Sequence, residues 1–121
     1  MTKTVLTVDD SRTMRDMLML ALVEAGYRVI QAVDGIDGLE TLGAEGADVV
    51  ITDINMPRLD GFGFIEGVRA DPRHRATPVL VLTTESDAAK KQRARDAGAT
   101  GWIVKPFDPV KLVEAVRRVA A

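Results

Sequence analysis

The chain has no cysteine, and only one histidine, one tryptophan and one tyrosine among its 121 residues. Without cysteine, neither a disulfide framework nor a Cys-based zinc site can form. Charge of one sign is also missing: 16 basic residues face 18 acidic ones, for a formal net charge of -2. That balance gives no global attraction to nucleic acid or to an anionic membrane. No stretch approaches the ~20 apolar residues that a membrane span requires. The opening Met1–Val8 segment is too short in apolar run to act as a secretory signal. A cytoplasmic protein is therefore the expectation. The length suits one domain spanning residues 1–121, able to bury roughly two-thirds of its surface without staples.

What is present is an alternation of two kinds of segment. Short β-branched runs occur at Thr4–Val8, Arg28–Ala32, Asp48–Thr52, Pro78–Leu82 and Gly101–Val104. The last three are almost wholly apolar, as expected of strands covered on both faces. Between them lie helical patterns. Met14, Met17, Leu18, Ala21, Leu22 and Ala25 form one apolar stripe after Ser11, a good N-cap, and Gly26 supplies a stop. Further helices are predicted at Gly35–Leu42, weakened by Gly38, and at Phe62–Ala70, Asp87–Ala97 and Pro109–Ala120. Five βα units imply an α/β fold, a doubly wound parallel sheet with helices on both faces. The last predicted helix runs to the end of the sequence, so no appended output domain is expected.

In such sheets ligands bind beyond the carboxyl ends of the strands. Asp9 and Asp10 follow the first run, Asp53 the third, Thr83 and Thr84 the fourth and Lys105 the fifth. A strand order of 2-1-3-4-5 would gather Asp9, Asp10, Asp53 and Thr83 at one rim, with Lys105 close by. Taken singly, each has an ordinary explanation as a helix cap, a turn residue or a solvated cation. Their recurrence at matching strand ends argues for one site. Three adjacent carboxylates repel, and a divalent cation with one lysine would neutralise them. An all-oxygen donor set favours a hard ion such as Mg²⁺. One carboxylate could then act as a nucleophile toward phosphorus, with lysine and threonine holding the phosphoryl oxygens.

Val8-Asp9-Asp10-Ser11, Asp53-Ile54-Asn55-Met56-Pro57-Arg58-Leu59-Asp60-Gly61, Val81-Leu82-Thr83-Thr84 and Val104-Lys105-Pro106-Phe107 resemble the receiver domains of two-component response regulators. The resemblance covers essentially the whole chain. It implies a flavodoxin-like (βα)5 fold of order 2-1-3-4-5 and a sensor histidine kinase as phosphoryl donor. It implies Asp53 as phosphoacceptor. It implies Asp10, Asp53 and the Asn55 carbonyl as ligands of Mg²⁺, with Mn²⁺ as an alternative, and Asp9 acting through a bound water. Thr83, Thr84 and Lys105 would contact the phosphoryl group, and the Lys105–Pro106 bond would be cis.

Trp102 stands where the family usually has tyrosine or phenylalanine, three residues before the lysine, and is the expected switch partner of Thr83. Asn55 and Glu85, each two residues beyond Asp53 and Thr83, are similar to the pair that tunes dephosphorylation in CheY-type chemotaxis regulators. The resemblance to that branch implies a monomeric, diffusible phosphoacceptor, not an enzyme in its own right, that assists its own phosphotransfer and dephosphorylation. Its implied partners are a chemotaxis kinase, the flagellar motor switch and a phosphatase, with no nucleic acid or membrane. A stand-alone receiver acting as phosphate sink or phosphorelay intermediate is the alternative. An aspartyl-phosphate phosphatase ranks lower, because Asn55 stands where such hydrolases carry a second aspartate. A flavin binder ranks lower too, because Asp9 and Asp10 would repel its phosphate.

Lys90, Lys91, Arg93 and Arg95 make the fourth helix basic, and Arg117 and Arg118 add to the fifth. The two helices are expected on the same side of the sheet edge. Lys90, Lys91, Arg95 and Trp102 would form a partner face for an acidic peptide or domain. Arg69, Arg73, His74 and Arg75 read as a basic surface loop.

Overall fold

The computed structural model describes residues 2–84 and 87–120. The strands are β1 (Thr4–Val8), β2 (Arg28–Ala32), β3 (Val49–Thr52), β4 (Val79–Thr84) and β5 (Gly101–Lys105). The helices are α1 (Arg12–Glu24), α2 (Gly35–Glu45), α3 (Gly61–Ala70), α4 (Ala88–Ala97) and α5 (Pro109–Ala120). All strands are parallel, in the order β2-β1-β3-β4-β5. No described helix is long and apolar enough to cross a membrane.

The sheet divides the apolar side chains into two layers. Leu6, Val8, Val50, Val79 and Val81 meet Leu42, Phe64, Ile65, Val68 and Ala94 from α2, α3 and α4. Val5, Val49, Ile51, Leu80 and Leu82 meet Leu18, Leu22, Leu112 and Val116 from α1 and α5. The period-2 alternation along each strand produces this division, because successive side chains leave opposite faces. Phe64 is fully buried; losing its ring would cost about 3–5 kcal/mol.

Helix ends follow their caps. Ser11 accepts from Met14 N at 3.2 Å, Asp34 from Asp37 N, Asp60 from Gly63 N and Asp87 from Lys90 N. Gly26, at φ +97°, stops α1. The Asp60 and Asp87 caps shift α3 and α4 by one residue from the expected starts. α2 continues to Glu45, past the expected Leu42. Gly38 does not simply weaken it: a Cβ there would lie 2.7 Å from Phe64 Cε1, so the glycine admits the ring that fills this layer.

Two surface expectations change. α4 packs on the α2–α3 layer and α5 on the α1 layer. The two basic helices therefore flank the β5 edge from opposite faces and do not share one. Arg69 is also no plain surface residue. Its guanidinium donates to the carbonyls of Gly98 at 2.9 Å and Thr77 at 2.6 Å, and to those of His74 and Arg75. It clamps the end of α3 to the segments before β4 and β5, and burial lowers its pKa from the usual arginine value. Arg73 does stay exposed and pairs with Asp71 at 2.9 Å.

Candidate phosphoacceptor and metal site

The site residues lie along the carboxyl rim of the sheet, where the connections diverge on either side of β1 and β3. Main-chain bonds set their positions. Asp9 N donates to Ala32 O at 3.1 Å, and Asp53 N to Val8 O at 2.9 Å. β4 runs to Thr84 and β5 to Lys105, each beyond the expected strand end. Thr83 and Thr84 therefore pair in register with Val104 and Lys105. Threonine and lysine are presented from sheet backbone, not from loops.

Asp9, Asp10 and Asp53 each offer a carboxylate oxygen within 4.8 Å of the other two. At about 5 Å and an effective dielectric of about 20, each such pair repels by about 3 kcal/mol. Lys105 Nζ, 2.7 Å from Asp53 Oδ1, supplies one opposing charge. Ile54 N donates to the same oxygen at 2.8 Å. Asp9 is 1% exposed; its Oδ1 accepts from Ser11 N at 2.9 Å. Its Oδ2 is buried with no hydrogen-bond partner among the described residues. Burial is the main reason the Asp9 carboxyl is held above the usual carboxylate range, and the charges of Asp53 and Asp10 add to it. A buried, orphaned carboxylate oxygen beside two further carboxylates fits a hard divalent cation.

Beside these acids is a cavity of about 50 Å³, lined by Asp53, Ile54, Asn55, Leu82, Thr83, Thr84, Lys90 and Lys105. At about 30 Å³ per water it has room for one or two waters. Asn55 is exposed on its wall, Thr84 is exposed, and Thr83 is buried. Thr83 Oγ1 donates to Thr84 O at 3.4 Å, so its hydroxyl is not on Asp53 here. Lys105–Pro106 is cis, as expected. Glu85, expected to tune dephosphorylation, lies outside the described residues.

Trp102, on β5, is half-buried, with Lys91 Nζ 5.5 Å and Arg95 Cζ 5.0 Å from its ring centroid. These three belong together at the β5 edge. Lys90 departs from that group: it is among the residues lining the acceptor cavity. Its position three residues after the helix cap Asp87 was the available signal, since a first-turn side chain points back over the cap.

The sequence reading did not anticipate the brace under the Asn55 loop. Arg58, at φ 66°, donates from Nε to Asp34 Oδ2 at 2.7 Å and from Nη2 to Asp34 Oδ1 at 3.1 Å. The Arg58 guanidinium is the main reason the Asp34 carboxyl lies below its usual range. Gly35 N also donates to Leu59 O, and Gly61 N to Ile54 O at 2.8 Å. A Cβ at Gly61 would collide with the Asp53 carbonyl oxygen, so only glycine lets α3 start this close to the acceptor strand.

Known proteins resemble this chain over nearly its whole length. The response regulator receiver domain family matches residues 5–117. The chain is 40% identical over 116 residues to chemotaxis protein CheY1 of Helicobacter pylori, covering 94% of each protein. Chemotaxis protein CheY4 of Vibrio cholerae superposes with a TM-score of 0.93 at 44% identity, covering 98% of this chain and 99% of that one. The receiver domain of sensor histidine kinase PA1611 from Pseudomonas aeruginosa has a magnesium ion coordinated in its active site cleft. It superposes with a TM-score of 0.92 at 25% identity, covering 99% of this chain and 98% of that one. With its parallel order, its rim of acids and these relatives in agreement, the chain belongs to the response regulator receiver domain family of two-component signalling.

Proposed function

We propose that this receiver domain accepts a phosphoryl group on Asp53 from the phosphohistidine of a sensor kinase and thereby changes its affinity for a partner. The observation that carries the reading is the 2.7 Å contact of Lys105 Nζ with Asp53 Oδ1, beside two further carboxylates and a small polar cavity. Asp10, Asp53 and the Asn55 carbonyl would hold Mg²⁺, or Mn²⁺ in its place, and Asp9 would act through a bound water. When bound, the ion offsets carboxylate charge and shields the phosphoryl oxygens.

An Asp53 carboxylate oxygen forms the new P–O bond as the donor's P–N bond breaks, and that electron pair returns to the imidazole nitrogen. Lys105, the Thr83 hydroxyl and the Thr84 amide donate to the phosphoryl oxygens. Phosphorylation replaces one carboxylate charge with about two negative charges and three acceptor oxygens. Thr83 turns from the Thr84 carbonyl toward them, and Trp102 and the β5 edge follow. A partner that prefers this arrangement stabilises the phosphorylated state in return. Water attacking phosphorus then breaks its bond to the Asp53 oxygen, releasing inorganic phosphate and regenerating the carboxylate, at a rate that Asn55 and Glu85 would tune.

The chemotaxis relatives favour one monomeric receiver unit that reads a chemotaxis kinase and delivers its signal to the flagellar motor switch, reset by a phosphatase. Lys91, Arg95 and Trp102 would supply the partner face, with Lys90 set apart from it at the acceptor cavity. Intact mass after Mg²⁺ and acetyl phosphate tests the acceptor, with Asp53→Asn as control. One phosphoryl group gained by the wild type alone, and lost with chelator, is the expected result. No gain by folded wild type would sink the reading.

A further inference from the structure

Lys105 is not the only lysine lining the acceptor cavity. Lys90 lines the same cavity from the first turn of α4. Its Nζ lies 3.4 Å from Asp87 Oδ2, and the side chain is 42% exposed. Asp87 holds this residue twice, because its Oδ1 also accepts from Lys90 N at 3.0 Å to cap the helix. The placement runs against local preference. A cation in the first helical turn faces the positive end of the helix dipole, and α4 has no acidic residue in that turn. Such a departure from a local rule at the edge of a site marks a residue kept for something else.

Charge accounting says what that is. Whatever balances the three carboxylates beforehand, converting Asp53 from a carboxylate to an acyl phosphate adds about one negative charge to the cavity. Lys105 is already engaged with Asp53. Lys90 has the one further ammonium among the described cavity residues. Its present partner is a partly exposed carboxylate at a long distance, worth little in water. Phosphoryl oxygens in a small, partly enclosed cavity are the stronger acceptor.

We infer that Lys90 is a second phosphoryl-contacting cation, which leaves Asp87 for the phosphoryl oxygens when Asp53 is modified. This rests on the acceptor reading of Asp53. The exchange also releases one of the two bonds by which Asp87 holds the start of α4. Occupancy of the acceptor is thereby coupled to the helix that carries Lys91 and Arg95 against Trp102.

The test uses the full chain, Mg²⁺ and trifluoroberyllate, a non-covalent mimic that adds the same charge to an aspartate. Its affinity is read by calorimetry and the bound fluorines by ¹⁹F NMR, for wild type, Lys90→Met, Lys90→Arg and Asp87→Asn. Lys90→Met is expected to bind about threefold to tenfold more weakly, with one fluorine resonance displaced. Lys90→Arg should restore most of the affinity. Asp87→Asn, which keeps a capping side chain but frees the ammonium, should bind at least as tightly as wild type. Equal affinity of wild type and Lys90→Met would overturn the inference while leaving Asp53 as acceptor. Equal loss in both Lys90 variants with unmoved ¹⁹F resonances would assign the effect to helix packing and also overturn it. Failure of the wild type both to bind the mimic and to gain a phosphoryl group would remove the acceptor reading itself.

Discussion

Lys105 Nζ and Asp53 Oδ1 meet at 2.7 Å although 52 positions separate them in the chain. Asp53 directly follows β3 and Lys105 ends β5, and these strands are not neighbours, since β4 lies between them. The lysine reaches across the end of β4 to the acceptor. Lys105→Met should fold normally yet gain a phosphoryl group from acetyl phosphate about 10²-fold more slowly, the usual cost of losing one fixed donor to developing charge. Time-resolved intact mass checks this, and an unchanged rate would show that the contact is only structural.

Asp9 Oδ2 is buried without a hydrogen-bond partner among the described residues. In chelator, Asp9→Asn should raise unfolding stability by about 1 kcal/mol. The neutral amide keeps an acceptor for Ser11 N and removes a desolvated charge beside Asp10 and Asp53. Added Mg²⁺ should stabilise the wild type, by about 1.4 kcal/mol at ten times its Kd, and the variant by less. Urea melts with and without the ion decide it; equal gains in both proteins would refute the assignment of Asp9 to the metal shell.

Asp34 and Arg58 brace the loop that carries Asn55. The Asp34 carboxyl is lowered from its ordinary 3.8, chiefly by Arg58. Its contribution to stability is therefore full above about pH 3.8 and is lost as pH falls through the lower folded value. Arg58→Met should move the Asp34 titration upward and shift acid unfolding to higher pH, with little change in phosphoryl transfer to small donors at neutral pH. Carboxyl NMR and acid titration by circular dichroism would detect both.

Gly38→Ala should improve helix propensity by about 1 kcal/mol yet destabilise the protein by about 1–3 kcal/mol through overpacking. The added methyl would stand 2.7 Å from Phe64 Cε1 and 3.2 Å from Val8 Cγ1. A urea midpoint equal to or above the wild type would show that the α2–α3 layer yields more readily than this contact suggests.

Trp102 is the one tryptophan, with Lys91 and Arg95 over its ring. Its emission should respond to acetyl phosphate with Mg²⁺ in the wild type and not in Asp53→Asn. The double variant Lys91→Gln, Arg95→Gln should shift the resting emission to the red by opening the ring to water. A silent Trp102 in phosphorylated protein would separate the β5 edge from the switch.

Much of this was legible in the chain itself. Short β-branched runs, the last three continuously apolar, and helical segments between them mark the five βα units, because a strand covered on both faces buries every residue while a helix buries one stripe. Polar residues that interrupt apolar strands at their carboxyl ends, Asp9, Asp53 and Lys105, stand out because nothing in the core needs them. The helix starts at Ser11 and Pro109 were readable from local cap chemistry, which acts within one turn.

Other properties depend on distances that no local pattern encodes. The expected grouping of α4 with α5 failed because the hand of each crossover, not helix composition, decides which face a helix covers. Arg69 looked like one basic residue among several, and only the fold brings four carbonyls to its guanidinium. Gly38 looked like a weak point until Phe64 arrived from another helix to need the space. The Arg58–Asp34 brace and the place of Lys90 at the acceptor cavity are of the same kind. Sequence chose the residue types that charge, hydrogen bonding and burial require. The tertiary structure decided which of them meet, because side-chain contact energies act over a few ångströms and chain separation does not limit them once the sheet has formed.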